Sequence, residues 1–461
     1  MLTYHFDSHA KMPMYEYLYN CIKDDIIHEK IKPHEKLPSK RALAKHLQIS
    51  LITVENAYNQ LLIEGYIYSI EKKGYFVNEI QFPSVPVIKK EIEIIDQQPQ
   101  YLMDLKTNSV SPDDFPFSTW SKLTRQVLSK QNASLLVKPP QEGCYELRKA
   151  ICDHLYSFSG MSVSPYQIIV GAGTEYLYNL VIQLFSHNSI YAFENPGHKS
   201  ISKVYETNRI PCLHISLDQD GLNINELRNS SANIVHISPA HHYPTGITMP
   251  IKRRLEILKW ANDRNGYIIE DDYDSEFRLR GKPISTLFQI DQNERVIYMN
   301  TFSKTLAPSF RMSYMVLPLH LVKRFHDKLH FYSCSVSSLE QVILASFIEQ
   351  GYFERHINRM RNAYKDIRDE LLKEIYHSPM SSSVEITEEN AGLHFLLHYQ
   401  GDYDDHELIE KAKSIGLNIA ALSEYYQNPF STHTLVINYS GLTKKDIPLA
   451  VQLLNQLFDY S

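Results

Sequence analysis

The sequence predicts a multidomain chain: a small, mostly α module with a β wing, then a large α/β domain. Three observations carry that expectation. Residues 12–78 hold apolar stripes at helical spacing, then two short apolar runs around a glycine-bearing turn. From residue 104 onward short apolar strands alternate with helical stretches, and each strand ends in a polar motif. Between them, Gln81 to Met103 carries Pro83, Pro86 and Pro99, no glycine and no helical stripe, the composition of a spacer. The expected boundaries are 1–80, 81–103 and 104–461. The last region divides into a large part near 145–330 and a small part from about 340 to 461 joined by 104–140.

Composition limits the function classes. Hydrophobic residues make up 43 % and charged residues 22 %, as in a globular chain with a sizeable core. A net charge of −6 excludes a protein that coats nucleic acid over its whole surface, but not a small DNA-binding module. Five scattered cysteines (Cys21, Cys144, Cys152, Cys212, Cys334) without CxxC spacing point to reduced thiols and no zinc site. The opening residues lack the apolar segment of a secretory leader, and no apolar run is long enough to span a bilayer. A cytoplasmic location is expected.

Taken in order, Tyr15, Leu18, Tyr19, Ile22 and Ile26 predict a first amphipathic helix. Ser39 is an N-cap for a short helix through His46, with Leu43, Ala44 and Leu47 inward. Ser50 caps another, striped by Val54, Ala57, Tyr58, Leu61 and Leu62. Two short helices joined by a tight turn form a helix-turn-helix. The start of the second (Thr53, Glu55, Asn56) would face a major groove. Tyr66 to Ile70 and Tyr75 to Val77 flank Glu71 to Gly74, a hairpin whose tip offers Lys72 and Lys73 to phosphates. This stretch, LPSKRALA…SLITVENAY, resembles the winged helix-turn-helix of GntR-type bacterial repressors. The resemblance implies DNA contacts from Ser39, Arg41, Ser50, Thr53, Lys73 and Gly74. It also exposes a departure: Leu51 stands where the family commonly has arginine. Residues 1–80 carry ten Lys plus Arg against ten Asp plus Glu, so tight binding needs two modules on one double-stranded promoter DNA, hence a dimer.

In the large region, strands are expected at Gln167–Val170, Ser189–Phe193, Asn233–Ile237 and Gly266–Ile269. Gly171, Ala172, Gly173 and Thr174 open a helix, whose bare N–H groups suit a phosphate or merely cap the helix. The cluster Glu270 to Asp274 follows an apolar strand. Its carboxylates suit a pyridinium partner or, in isolation, a metal. His241 and His242 are adjacent; on a strand they would point to opposite faces, against a two-histidine metal site. The stretch Arg295 to Pro318 reads as strand, tight loop, strand. Lys304 sits in the loop among Thr301, Ser303 and Thr305, with Arg311 seven residues on. Desolvation would favour a neutral amine, as Schiff-base chemistry needs, and the hydroxyls and arginine suit a phosphate. The cofactor with both an aldehyde and a phosphate is pyridoxal 5'-phosphate (PLP); the alternative is an ordinary surface loop.

AGT before a helix, ENPGH, AHHYPTG, EDDYDSEF and TFSKTLAPSFR occur in order. Together they resemble the fold type I aminotransferases over residues 104–461. With the N-terminal module, the whole chain resembles the MocR subgroup of GntR regulators. That resemblance implies Lys304 as the Schiff-base lysine, Asp271 on the pyridine nitrogen and Tyr273 on the ring hydroxyl. Ala172, Gly173, Thr174, Thr301, Ser303 and Arg311 would surround the phosphate, and His198 would stack where an aromatic ring is usual. Lys138 replaces a tyrosine that often reaches the partner subunit's phosphate, and a shared site implies a head-to-tail homodimer.

A further departure bears on function. The small-domain arginine that usually binds a substrate carboxylate falls at Val436, and no arginine follows Arg368. A charge-assisted fork is lost, worth roughly 1.5–3 kcal/mol per hydrogen bond. Arg359 or Arg361 could substitute. Two readings compete: a transcription regulator whose domain senses PLP itself and controls vitamin B6 synthesis, without efficient transamination; or a working aminotransferase, or a regulator that uses an amino acid or an amine such as GABA as effector.

Overall fold

The computed structural model describes residues 2–4, 12–80, 101–107, 109–111, 114–129, 133–185, 188–279, 284–390 and 392–460. The spacer expected at 81–103 therefore lies outside the described residues up to 100. Its last residue, Met103, opens a two-residue strand with Asp104 that pairs in parallel with Leu417–Asn418. Chain contacts separate a unit at Met1–Gln97 from one at Gln98–Ser461.

The first unit has three helices, α1 (Met14–Ile27), α2 (Lys40–Leu47) and α3 (Leu51–Ile63), then strands β1 (Ile67–Ile70) and β2 (Gly74–Val77). Local chemistry sets the starts of α2 and α3. Ser39 Oγ accepts the Ala42 N–H (3.2 Å) and Ser50 Oγ accepts the Thr53 N–H (3.1 Å), each filling one otherwise bare donor of a first turn. One helical face of each element is apolar and meets in a single core: Leu18, Ile22, Leu43, Val54, Tyr58, Leu61 and Val77 are all fully buried. Each fully buried aliphatic or aromatic side chain contributes about 1.5–3 kcal/mol, which holds helices too short to persist alone. The hairpin is antiparallel, with Ile67 opposite Val77 and Ile70 opposite Gly74.

The second unit is built on an eight-stranded sheet. In spatial order its strands are Ile168–Gly171, Ser313–Val316, Val296–Thr301, Tyr267–Asp271, Ile234–Ile237, Tyr191–Asn195, Cys212–Asp218 and Gly221–Leu222. The central five pair in parallel and the flanks antiparallel. The central strands are apolar on both faces because helices cover both, and this is why the sequence shows runs rather than alternation. A smaller antiparallel sheet (Val384–Thr387, His394–Tyr399, Thr434–Asn438, Ala420–Ala421) packs against the long helix Tyr352–His377 and Ile447–Leu457.

The stretch 104–140, expected with the small part, divides between the two. Leu105 packs with Tyr364 and Leu417, whereas Leu123 and Val127 of the helix Phe117–Ser129 pack with Leu147, Ile151 and Leu344 of the large part. The amphipathic helix follows the larger apolar surface within its reach. Among the described residues no helix is long and apolar enough to cross a membrane.

Candidate functional site

The carboxyl ends of the central strands open into one cleft of about 600 Å³, where open α/β sheets gather ligands. Strand Val296–Thr301 ends in a single helical turn, Phe302–Thr305, rather than the plain loop expected, and a short 3₁₀ turn follows at Pro308–Phe310. Thr301 starts that turn by accepting the Ser303 N–H on Oγ1 (3.2 Å), which turns Lys304 into the cleft wall. Burial pulls the Lys304 ammonium down from its ordinary 10.5 to about 8; the Asp274 carboxylate works against it.

Asp271 ends the strand Tyr267–Asp271. Tyr178 donates its hydroxyl to Asp271 Oδ2 (2.7 Å), and His236 Nε2 lies 3.5 Å away. Asp271 Oδ1 is buried and has no partner among the described residues. Tyr273 lines the same cleft, its hydroxyl 3.4 Å from His241 Nδ1. At the other end, Thr174, Thr301, Ser303 and Arg311 line one wall. Gly173 caps the helix Thr174–Leu184 at φ +92°, and a Cβ there would lie 2.5 Å from Arg311 Nη2. Arg311 itself pairs with Glu175 at 2.5 Å. Ala172 is not among the residues that line the cleft, and its N–H donates to Ser335 Oγ (3.0 Å).

His198 lines the cleft beside Tyr243, ring centroids 5.7 Å apart, and burial followed by the nearby Lys304 charge lowers its pKa. The histidine pair follows the strand expected at Asn233–Ile237. His241 and His242 lie in a loop past the strand Ile234–Ile237, not on a strand. His241 Nδ1 contacts Asp274 (2.8 Å), while His242 Nδ1 contacts Thr245 (2.7 Å) and its Nε2 lies 3.6 Å from Glu194. No group of three or more metal-ligating side chains occurs among the described residues.

Several cleft residues escaped the sequence. Tyr178 stands one helical turn after Thr174, a spacing that could have flagged it. Tyr243 lies inside the AHHYPTG motif, where the sequence assigns it no role, and nothing local marks Tyr425, whose hydroxyl meets that of Tyr243 at 2.6 Å, or Lys106 and Glu424, paired at 2.8 Å. Val436 is buried opposite Leu396 and Ala420, in a cluster with Leu396 and Leu422 against which Tyr243, Tyr425 and Tyr426 pack. Neither proposed substitute arginine lines the cleft. Arg359 donates to the Asp114 carbonyl (2.6 Å), and Arg361 donates twice to the Glu276 carbonyl (3.1 and 2.7 Å). Lys138 is exposed.

In the first unit, Ser39 and Arg41 sit at the start of α2, Ser50 and Thr53 at the start of α3, and Lys73 and Gly74 at the hairpin tip. Lys40 joins these pieces: its Nζ lies 3.4 Å from Glu55 on α3 and over the Tyr75 ring of β2 at 5.4 Å. The Ser39 and Ser50 hydroxyls, expected on DNA, already accept backbone N–H groups as caps.

Comparisons with known proteins match both units. The model for bacterial regulatory proteins of the gntR family covers residues 14–77, and that for aminotransferase class I and II covers residues 101–454. The HTH-type transcriptional regulator YdeL of Bacillus subtilis is 38 % identical over 95 % of this chain and 95 % of its own. The probable rhizopine catabolism regulatory protein MocR of Rhizobium meliloti is 27 % identical over 98 % and 95 %. The pyridoxine biosynthesis transcriptional regulator PdxR of Corynebacterium glutamicum is 27 % identical over 89 % and 88 %. Among solved structures, an archaeal alanine:glyoxylate aminotransferase superposes with a TM-score of 0.70 at 23 % identity, covering 77 % of this chain and 90 % of its own, which shows the fold.

Proposed function

We propose that this chain, which belongs to the MocR subgroup of GntR-type transcription regulators, senses PLP with its second unit and carries the signal to promoter DNA through paired N-terminal modules. The cleft residues fit the cofactor. Asp271 Oδ1 is an orphaned acceptor placed for a ring N–H, and the absent side chain at Gly173 leaves a cradle beside Arg311. Desolvation raises the neutral fraction of Lys304 near neutral pH roughly 300-fold over an ordinary lysine, so its amine is primed for an aldehyde. When bound, the group supplies an electrophilic aldehyde and an anionic phosphate. Tyr178 orients Asp271, with His236 Nε2 3.5 Å from the same oxygen, Thr301 orients Ser303, and Arg311 must exchange Glu175 for the phosphate.

Val436 carries the choice of effector. At the position where an aminotransferase carries a guanidinium fork for a substrate carboxylate, this chain has a buried valine packed with Leu396 and Leu422, and Arg359 and Arg361 are committed to backbone carbonyls. That favours PLP itself over an amino acid, and the likeness to a pyridoxine biosynthesis regulator supports a role in vitamin B6 control. A head-to-tail homodimer would place two DNA modules together, and effector binding would change the half-site spacing they span.

The test is binding of the full chain to its own upstream DNA, with and without PLP, in wild type and Lys304→Ala. Wild type should respond to PLP; Lys304→Ala should bind DNA as the PLP-free wild type does and ignore PLP. A full PLP response in that variant would remove the lysine from the mechanism. Rapid loss of the yellow colour on adding amino acids would instead favour a working aminotransferase.

A further inference from the structure

The outward face of α3 has a chemistry of its own. Residues 51–63 contain neither lysine nor arginine, the side chains that read guanine by two hydrogen bonds to O6 and N7. Val54, Ala57, Tyr58 and Leu61 point into the core. The opposite face, at spacing i, i+4, i+7 and i+11, is Ile52, Asn56, Asn59 and Ile63, all exposed. Ile52 is 67 % exposed and Leu51 beside it 39 %, on the first turn that enters a major groove in this motif. An exposed isoleucine at that place has no core to serve. Charge lies elsewhere: Arg41 and Lys45 on α2 and Lys72 and Lys73 at the hairpin tip are exposed, while Lys40 is held by Glu55. Phosphate contact and base reading therefore fall to different elements.

We propose that α3 reads A·T pairs, with Ile52 seated on a thymine C5-methyl and Asn56 bonded to N6 and N7 of an adenine. The inference rests on the reading of the first unit as DNA-binding, and names what it recognises. Leu51, in place of the arginine common in GntR-type modules, removes a phosphate or base contact and adds an exposed apolar side chain beside Ile52.

The experiment is selection of random-sequence duplex DNA by the full chain, followed by affinity measurement on the selected duplex with thymine and with uracil, which lacks only the methyl. Selected half-sites should carry A·T pairs at their centres. Uracil should weaken wild-type binding about fourfold per seated methyl, hence roughly sixteenfold for two half-sites. Ile52→Ser, a polar change at an exposed position that leaves the core intact, should lose most of the preference for thymine over uracil. Guanine-centred half-sites, or equal wild-type affinity for the two duplexes, would overturn the assignment. Failure to enrich any duplex would overturn the DNA-binding reading as well, so the two failures are distinguishable.

Discussion

The pH dependence of cofactor capture is a direct test of the cleft. On the proposed function, capture requires a neutral amine at Lys304. Burial disfavours the ammonium, so the neutral form appears near pH 8 rather than 10.5. Below pH 8 the capture rate should rise about tenfold per pH unit; from 8.5 to 9.5 it should rise only about 1.3-fold. An unperturbed lysine would still rise about ninefold over that last interval. Stopped-flow absorbance of the cofactor-free chain mixed with PLP reads the rate, and a free amine under the same conditions corrects for the titration of PLP itself. Asp274→Asn removes the one charge that holds the ammonium up, so its midpoint should move below that of wild type. A corrected rate that keeps climbing ninefold between pH 8.5 and 9.5 would refute the desolvated lysine, and with it the reason for placing the chemistry there.

Gly173→Ala puts a Cβ 2.5 Å from Arg311 Nη2 at φ +92°, which displaces the guanidinium and strains the backbone; PLP affinity should fall tenfold or more, about 1.4 kcal/mol, and an unchanged titration would contradict the phosphate cradle. Ser50→Ala leaves the Thr53 N–H without its cap and should cost the first unit about 1 kcal/mol, seen as faster hydrogen exchange at the α3 amides; equal exchange would mean the cap is idle. Burial pushes the Glu194 and Glu276 carboxyls up to about 8, so the fold keeps protons that the unfolded chain has released above its ordinary carboxylate range, and stability falls as pH rises toward 8. His242 (about 3), His154 and His356 (each about 4) act in the opposite sense, but only below about 6.5. Between pH 6.5 and 8 the loss should reach roughly 2 kcal/mol for each of the two carboxyls. Urea unfolding followed by Trp120 and Trp260 fluorescence measures it; a midpoint that rises over this range would contradict the buried-acid account.

Much of this was legible in the sequence where the deciding contacts are short in chain distance. Ser39 and Ser50 cap helices through amides three residues on, and the Glu71–Gly74 turn sets a hairpin over four paired positions. Thr301 and Ser303 are two apart, so the Lys304 turn could be read as a unit, although not as a helical turn. The alternation of buried strands and helices fixed the class of the large domain. His241 and His242 are not bound to opposite faces, because they fall in the loop after Ile237, where the sheet hydrogen bonding has ended.

The chain by itself thus determined the two folds, the strand-end motifs and the absence of an arginine after Arg368, all of which follow from local patterning and residue identity. The tertiary structure alone decided which side chains share the cleft. It brought Lys106 to Glu424 and Tyr243 to Tyr425, bonded Ala172 to Ser335, and committed Arg359 and Arg361 to distant carbonyls. Those pairings join residues from 85 to 318 positions apart. Chain closure over such lengths is governed by the packing of the whole core, which no local pattern records.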